Sequence, residues 1–270
     1  MSTQLSLSAA ATLIEDGMTV ALGGMTLYRR PAAFCLALLA RTPRPRNLCL
    51  LGFTHGIDAD WLVGGGCVDT VRSCYFGLES FGLAPMFTAQ ATIGQLTVLE
   101  ETEASIGSGL RARMAGIGFM PSSAWIGTDL PALRPDIHTI TDPYTGETLM
   151  AFPAIPVDVA VIHALEADDY GNVSINHNTA IDLELAAVAR TVIVTYERRV
   201  PELHKSADRL ILPAPVPDVL VHAPRGAWPT SCHPFYPMDG AAVLAYVEAC
   251  TAGAFEPYIA QVITQRRGAS

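Results

Sequence analysis

Short β-branched apolar runs alternate with segments of helical period along most of the chain. MTVALGG, PAAFCLALLART, NLCLLGF, IDADWLVGG and CVDTVRSCYFG follow one another. The alternation returns in VDVAVIHA, AIDLELAAVAR, TVIVTY, RLILP and DVLVHAP, and an amphipathic helix around DGAAVLAYVEAC closes it. Runs apolar at consecutive positions, such as VDVAVIHA, suit strands covered on both faces. The pattern predicts an α/β fold with an open, mostly parallel sheet flanked by helices. From about Pro131 to Pro156 the chain is richer in Pro, Asp, Thr and Gly, and reads as a hairpin-like excursion between two halves. No Ser/Gly linker, low-complexity tract or fixed-period repeat divides it, so residues 1–270 are read as a single domain.

Half of the 270 residues are hydrophobic, enough for a sizeable core. Acidic residues outnumber basic ones 26 to 17 and no basic run occurs, which argues against nucleic acid or an anionic membrane as partner. A small anion needs only a local pocket. The opening MSTQLSLSAAATLIEDG lacks the features of a signal peptide, and no apolar run reaches the roughly 20 residues that span a bilayer, so a cytoplasmic protein is expected. Cys35, Cys49, Cys67, Cys74, Cys232 and Cys250 are scattered without a CxxC pair, as for reduced, buried thiols. Ser231-Cys232-His233 has no partner at ligand spacing, and His177, His204 and His222 are isolated, so neither a metal nor a tightly bound cofactor is expected. GSG at 107–109 is not GxSxG.

Chemistry concentrates at ALGGMTLYRRPAA. A strand, then Gly23-Gly24, then a helix opening at Pro31 is a layout in which backbone amides face an anion, and equally a plain tight turn. Neither GxGxxG nor GxxxxGK[ST] is present. Arg29 and Arg30 are either solvated charges at a helix start or a bidentate clamp for a substrate carboxylate or a diphosphate. In LEETEAS, the carboxylates of Glu100, Glu101 and Glu103 suit a helix N-terminus. Three like charges this close also disfavour one another's ionisation, which suits a general base, and Glu103 is the candidate. His163 reads as a histidine at the end of a core strand, Asp168, Gly171 and Asn172 as a turn, and Glu197 as an exposed charge or an interface carboxylate.

DGMTVALGGMTLYRRP resembles the N-terminal motif of the α subunits of family I coenzyme A transferases. Asp16, Gly17, Gly23, Gly24 and Pro31 match it, whereas Met25 stands in place of the usual Phe and Arg29 in place of the usual Gly. RMAGIGFMPSSAWIGTDL, PAIPVDVAVIHALEADDYGNV, TVIVTYERRV and VLVHAPRGAWPTSCHPFYPMDG resemble later family segments in order, so the likeness runs from about residue 5 to 260. It implies a CoA-transferase-like (NagB/RpiA-like) fold and a coenzyme A thioester substrate with a small carboxylic acid as acceptor. It also implies a β subunit, in an α₂β₂ or α₄β₄ assembly, that carries the nucleophilic Glu; its usual setting, Ser-Glu-Asn-Gly, is missing from this chain. Gly23 and Gly24 would then approach the substrate closely and offer their amides to an oxyanion. Paired arginines between GG and Pro also resemble α subunits of hydrolases that open steroid-derived cyclic diketones held as CoA thioesters. In those a Glu of the α chain does the chemistry, which here implies Glu103. A third expectation is a non-catalytic acyl-CoA-binding protein of the same fold.

Overall fold

A computed structural model, which describes residues 2–268, builds two sheets. Five strands come first: β1 (Thr3–Gln4), β2 (Thr19–Leu22), β3 (Leu48–His55), β4 (Val68–Phe76) and β5 (Thr97–Glu100). Next, β6 (Phe119–Ser122), β7 (His138–Thr141) and β8 (Thr148–Pro153) form a small antiparallel sheet in the order β6-β8-β7. Finally β9 (Val159–Asp168), β10 (Val173–Ile175), β11 (Thr191–Val200), β12 (Leu210–Leu212) and β13 (Val219–His222) join the first five in a ten-stranded sheet.

The main path of that sheet is β1-β13-β11-β9-β2-β3-β4-β5, with every ladder parallel, as the alternating pattern predicts. RLILP departs from the expectation of a parallel strand. Its core, β12, pairs antiparallel with β10, which folds back on β9. From β2 the chain steps outward through β3 and β4 to β5. It then returns through the small sheet to β9, on the other side of β2, and steps out again through β11 and β13. The strand order thus reverses between β2 and β9, and in open α/β sheets ligands bind outside the carboxyl ends of the strands at such a reversal.

Nine helices complete the described residues: α1 (Leu7–Ala11), α2 (Ala32–Leu39), α3 (Ile57–Gly64), α4 (Pro85–Thr92), α5 (Glu103–Met114), α6 (Leu130–Leu133), α7 (Asp182–Val188), α8 (Gly240–Thr251) and α9 (Phe255–Gly268). β9 is buried at every position because both its faces are covered. Val159 and Val161 pack with Phe34 of α2 and Trp61 of α3, while Ala160 packs with Ile106 of α5 and Leu185 of α7. Local signals start the helices: the Ser6 side chain accepts from the Ala9 amide (3.1 Å) and Asp239 from that of Ala242 (3.0 Å). The Pro131–Pro156 stretch contains the antiparallel β7–β8 hairpin, with Asp142 accepting from the amides of Tyr144 and Thr145 at its tip. Among the described residues, no helix is long and apolar enough to cross a membrane.

Candidate active site

β2 ends against the reversal point, and Gly23-Gly24 carries the chain off its carboxyl end. The two glycine amides do not face an open anion site. Gly23 donates to the Val161 carbonyl of β9 (2.9 Å) and Gly24 to Asp182 Oδ1 at the start of α7 (2.8 Å). Within this chain the Gly24 amide thus meets the chain's own Asp182 carboxylate, and the Gly23 amide a neutral backbone carbonyl. A Cβ at Gly23 would sit 2.5 Å from Asp182 Oδ1, and one at Gly24, where φ is +79°, 2.5 Å from the Arg29 carbonyl oxygen. Glycine is required here so that a carboxylate and a backbone can close in.

Met25 to Tyr28 form a tight turn, with the Tyr28 amide donating to the Met25 carbonyl (2.7 Å) and the Met25 amide to that of Tyr28 (2.9 Å). Thr26 (φ +40°) and Arg29 (φ +51°) both occupy left-handed backbone, a strained state for branched and long side chains. Every amide from 23 to 30 donates within the described chain except that of Leu27.

The arginines turn inward. Both are fully buried, and each meets a fully buried carboxylate: Arg29 Nη2 pairs with Asp182, and Arg30 Nε with Asp58 Oδ1 (2.9 Å) and Oδ2 (3.1 Å). Arg29 also donates to the His163 carbonyl of β9 (2.6 Å) and the Asn178 carbonyl (2.9 Å), while Arg30 donates to the Thr54 carbonyl of β3 (2.9 Å). The two guanidiniums thus staple the loop to the strands on either side of β2. Neither is the solvated charge that the sequence allowed, and within the chain both guanidiniums are turned to its own carboxylates and carbonyls.

Two buried histidines flank the staple. His55, at the end of β3, accepts from Arg30 Nη2 at its Nδ1 (3.5 Å), and its Nε2 is buried without a partner among the described residues. Burial and the Arg30 charge lower its pKa to about 3, so the ring is neutral. His163 holds Thr195 Oγ1 at Nδ1 (2.7 Å) and donates from Nε2 to Glu197 Oε1 (2.8 Å). Burial lowers the His163 pKa despite the pull of Glu197, so this contact is a hydrogen bond from a neutral ring to an ionised carboxylate. Burial alone would raise the Glu197 pKa, but the bonds from His163, Tyr236 and the Arg225 amide bring it below the ordinary value. Glu197 is thus a core acceptor, not the exposed charge or interface carboxylate of the sequence reading. Ligand atoms of His163, Glu197 and Cys232 lie within 4.8 Å of one another, a donor set suited to zinc. The hydrogen bonds of Glu197 and His163 are already completed within the chain, and burial pushes the Cys232 thiol up to about 12, so the cluster is a hydrogen-bonded network of an ionised Glu197, a neutral His163 and a protonated Cys232.

The acidic stretch leaves the same edge of the sheet at β5, three strand spacings from β2, or about 14 Å. Its three carboxylates are not equivalent. Glu101 is buried between Arg72 (2.6 Å) and Arg134 (2.8 Å) and also accepts from Ser105 Oγ, so its charge is answered from two sides. Glu103 is exposed at the first position of α5, behind a capping box formed by Thr102 and Ser105. The structure gathers Gly23, Gly24, Arg29 and Arg30 into one unit and leaves Glu103 apart from it, open to solvent. Asp58 and Asp182, which complete that unit, carry no local signal in the sequence.

Two cavities meet at Tyr28 and Asn178. The larger, about 760 Å³, lies beyond the carboxyl ends of β9 and β11, with His177, His204, His233 and Arg209 in its wall. The smaller, about 310 Å³, is lined by the strained turn itself.

Comparison with known proteins follows the same outline. The family model described as coenzyme A transferase matches residues 5–223. A 3-oxoadipate CoA-transferase subunit of Pseudomonas knackmussii is 31% identical over 86% of this chain and 82% of its own length. The cholesterol ring-cleaving hydrolase IpdA subunit of Rhodococcus jostii is 30% identical over 97% and 92%. An uncharacterised protein of Archaeoglobus fulgidus is 32% identical over 88% of this chain, which spans about half (54%) of that longer protein. Among solved structures, a variant of the decarboxylase AibA/AibB superposes with a TM-score of 0.89 at 31% identity, covering 98% of this chain and all of that one.

Proposed function

The chain belongs to the coenzyme A transferase family, and from that premise we propose that it is the α half of a heteromeric enzyme of acyl-CoA chemistry, acting in the cytoplasm as one domain. In the transferase reading, the thioester carbonyl is attacked by a Glu of the β subunit, which expels CoA and leaves a mixed anhydride. CoA then attacks the glutamyl carbonyl, releases the first acid and forms a glutamyl thioester, from which CoA passes to a second acid. This chain contributes the rigid loop at the strand reversal, whose arginine staples hold the turn at 25–28 in its strained shape. The observation that carries the reading is the similarity to the 3-oxoadipate CoA-transferase subunit over 86% of this chain, together with a family match that runs through residues 5–223 and so takes in the loop. That relative is itself one subunit of its enzyme, which supports a separate β partner here.

A second reading rests on a different observation. Glu103 is exposed at the carboxyl edge, and a ring-cleaving hydrolase subunit matches nearly the full chain. Here Glu103 takes up the proton of a water that adds to a ring carbonyl; the neighbouring ring C–C bond breaks, the released carbon takes that proton from Glu103, a carboxylate forms, and no covalent glutamyl intermediate arises. Co-purification with the β subunit, followed by borohydride or hydroxylamine in the presence of acyl-CoA, separates the two. Inactivation that depends on acyl-CoA is expected for a transferase; turnover that survives treatment supports the hydrolase. Thioester binding without turnover of any acyl-CoA would support the non-catalytic alternative.

A further inference from the structure

The cavity of about 310 Å³ beside the strained turn has a definite chemical character. Met25, Leu27, Tyr28 and Met238 bring its apolar and aromatic surface, Thr26, Asn178 and Ser231 are uncharged polar neighbours, and among the described residues the only charged one in the lining is Glu79. Arg29 and Arg30 follow this turn directly, but their guanidiniums are committed to Asp182 and Asp58 inside the protein. No cation among the described residues lines the cavity. In the same wall is Leu27, whose amide makes no hydrogen bond within the described chain.

From this lining we infer that the cavity selects acyl groups whose far end is uncharged, short to medium monocarboxylic chains, and rejects acyl groups that carry a second carboxylate. The inference rests on the acyl-CoA reading above and narrows it to a substrate class. A distal carboxylate placed here would find only uncharged donors, no cation, and the charge of Glu79, whereas methylenes would meet Met25, Leu27 and Met238. The unused Leu27 amide is a donor suited to the acyl carbonyl oxygen, and one or a few polar groups in an apolar wall are what orient a ligand. At about 30 Å³ per water-sized group, the volume holds about ten such groups, enough for a six-carbon acyl chain. Met25 and Glu79 are then the residues that set selectivity.

The test pairs hexanoyl-CoA with adipyl-CoA, two acyl groups of the same six-carbon skeleton that differ in a terminal carboxylate, on the complex with the β subunit. Binding is followed by calorimetry and turnover by mass detection of free CoA and products. Hexanoyl-CoA is expected to lead in kcat/KM by at least thirtyfold, Glu79→Gln to narrow the gap severalfold, and Met25→Arg to narrow it further by raising adipyl-CoA. Preference for adipyl-CoA, or a lead for hexanoyl-CoA under threefold, overturns the selectivity while binding of both thioesters leaves the acyl-CoA reading standing. If CoA and both thioesters fail to bind, the acyl-CoA reading falls and the selectivity with it.

Discussion

The loop at 23–30 and the stretch at 100–103 leave the same edge of the sheet, each at the end of a parallel strand and each crowded with charge. In the loop, both arginines are enclosed and each is matched by an enclosed aspartate. In the acidic stretch, Glu101 is enclosed between two arginines while Glu103, two residues on, faces solvent. Position in the sheet explains the difference. β2 is flanked by β3 and β9, with α3 and α7 closing over its end, so any charge there must find a partner inside; β5 is the edge strand. Charge at the centre shapes the backbone, and charge at the edge remains available to a ligand.

Removing one side of a central pair tests that division most severely. Asp182→Ala leaves Arg29 buried without its carboxylate and the Gly24 amide without its acceptor. A loss of about 3–5 kcal/mol is expected, read from urea unfolding of the purified chain. A loss below about 1 kcal/mol would mean that the pair is not enclosed.

A second test uses the neighbouring carboxylate of α3. Asp60 is buried against Tyr246 Oη (2.6 Å) and the amides of Phe87 and Met86, and burial raises its pKa to about 6 despite those bonds. Between pH 4 and 6 the folded chain keeps a proton that the unfolded chain has released, so this group's contribution is greatest at the acid end and is lost as pH rises. His55, held neutral with a pKa of about 3, works in the opposite direction, favouring the fold above pH 6.5 and losing that contribution toward pH 3. The stability of Asp60→Asn relative to wild type is therefore expected to climb by up to about 3 kcal/mol between pH 4 and 6.5, whatever its absolute offset. A flat difference would show Asp60 titrating as an ordinary exposed carboxylate.

Gly24→Ala bears on why the loop carries glycine. Its left-handed backbone and the 2.5 Å approach of the Arg29 carbonyl predict about 1–3 kcal/mol of lost stability together with lost activity. Activity lost at unchanged melting temperature would restore the idea that the glycine serves the substrate directly.

The contrast also marks how far the sequence could be read. The alternation from MTVALGG to CVDTVRSCYFG corresponds to β2, α2, β3, α3 and β4, because the periods of strand and helix are local properties. The run VDVAVIHA falls in a strand buried at every position. Pairing between distant residues left no such trace. Asp182 lies 153 residues from Arg29 and reads as the first acidic residue of an amphipathic helix. Asp58 sits in IDADWLVGG, where a polar residue in a helical pattern reads as the wet face, yet it is fully buried. Glu197 looked exposed because Arg198 and Arg199 follow it, but successive residues of a strand face opposite ways, so Arg198 says nothing of its side, and that side faces His163 and Tyr236.

The smallest change in stability is expected at Glu103, and there it is the most informative. No ion pair or side-chain bond holds this carboxylate among the described contacts, so Glu103→Gln should stay within about 0.5 kcal/mol of wild type. Activity of the complex with the β subunit then divides the two chemistries. A general base at the edge loses about 10²–10⁴ in kcat when its carboxylate becomes an amide, at unchanged stability, and the ring-opening reading requires that loss. A transferase whose nucleophile lies on the other subunit needs Glu103 for no proton and keeps its rate within a few fold. A large loss of stability in Glu103→Gln would break the contrast itself, since it would place this carboxylate with Asp58 and Asp182 among the charges that hold the fold together.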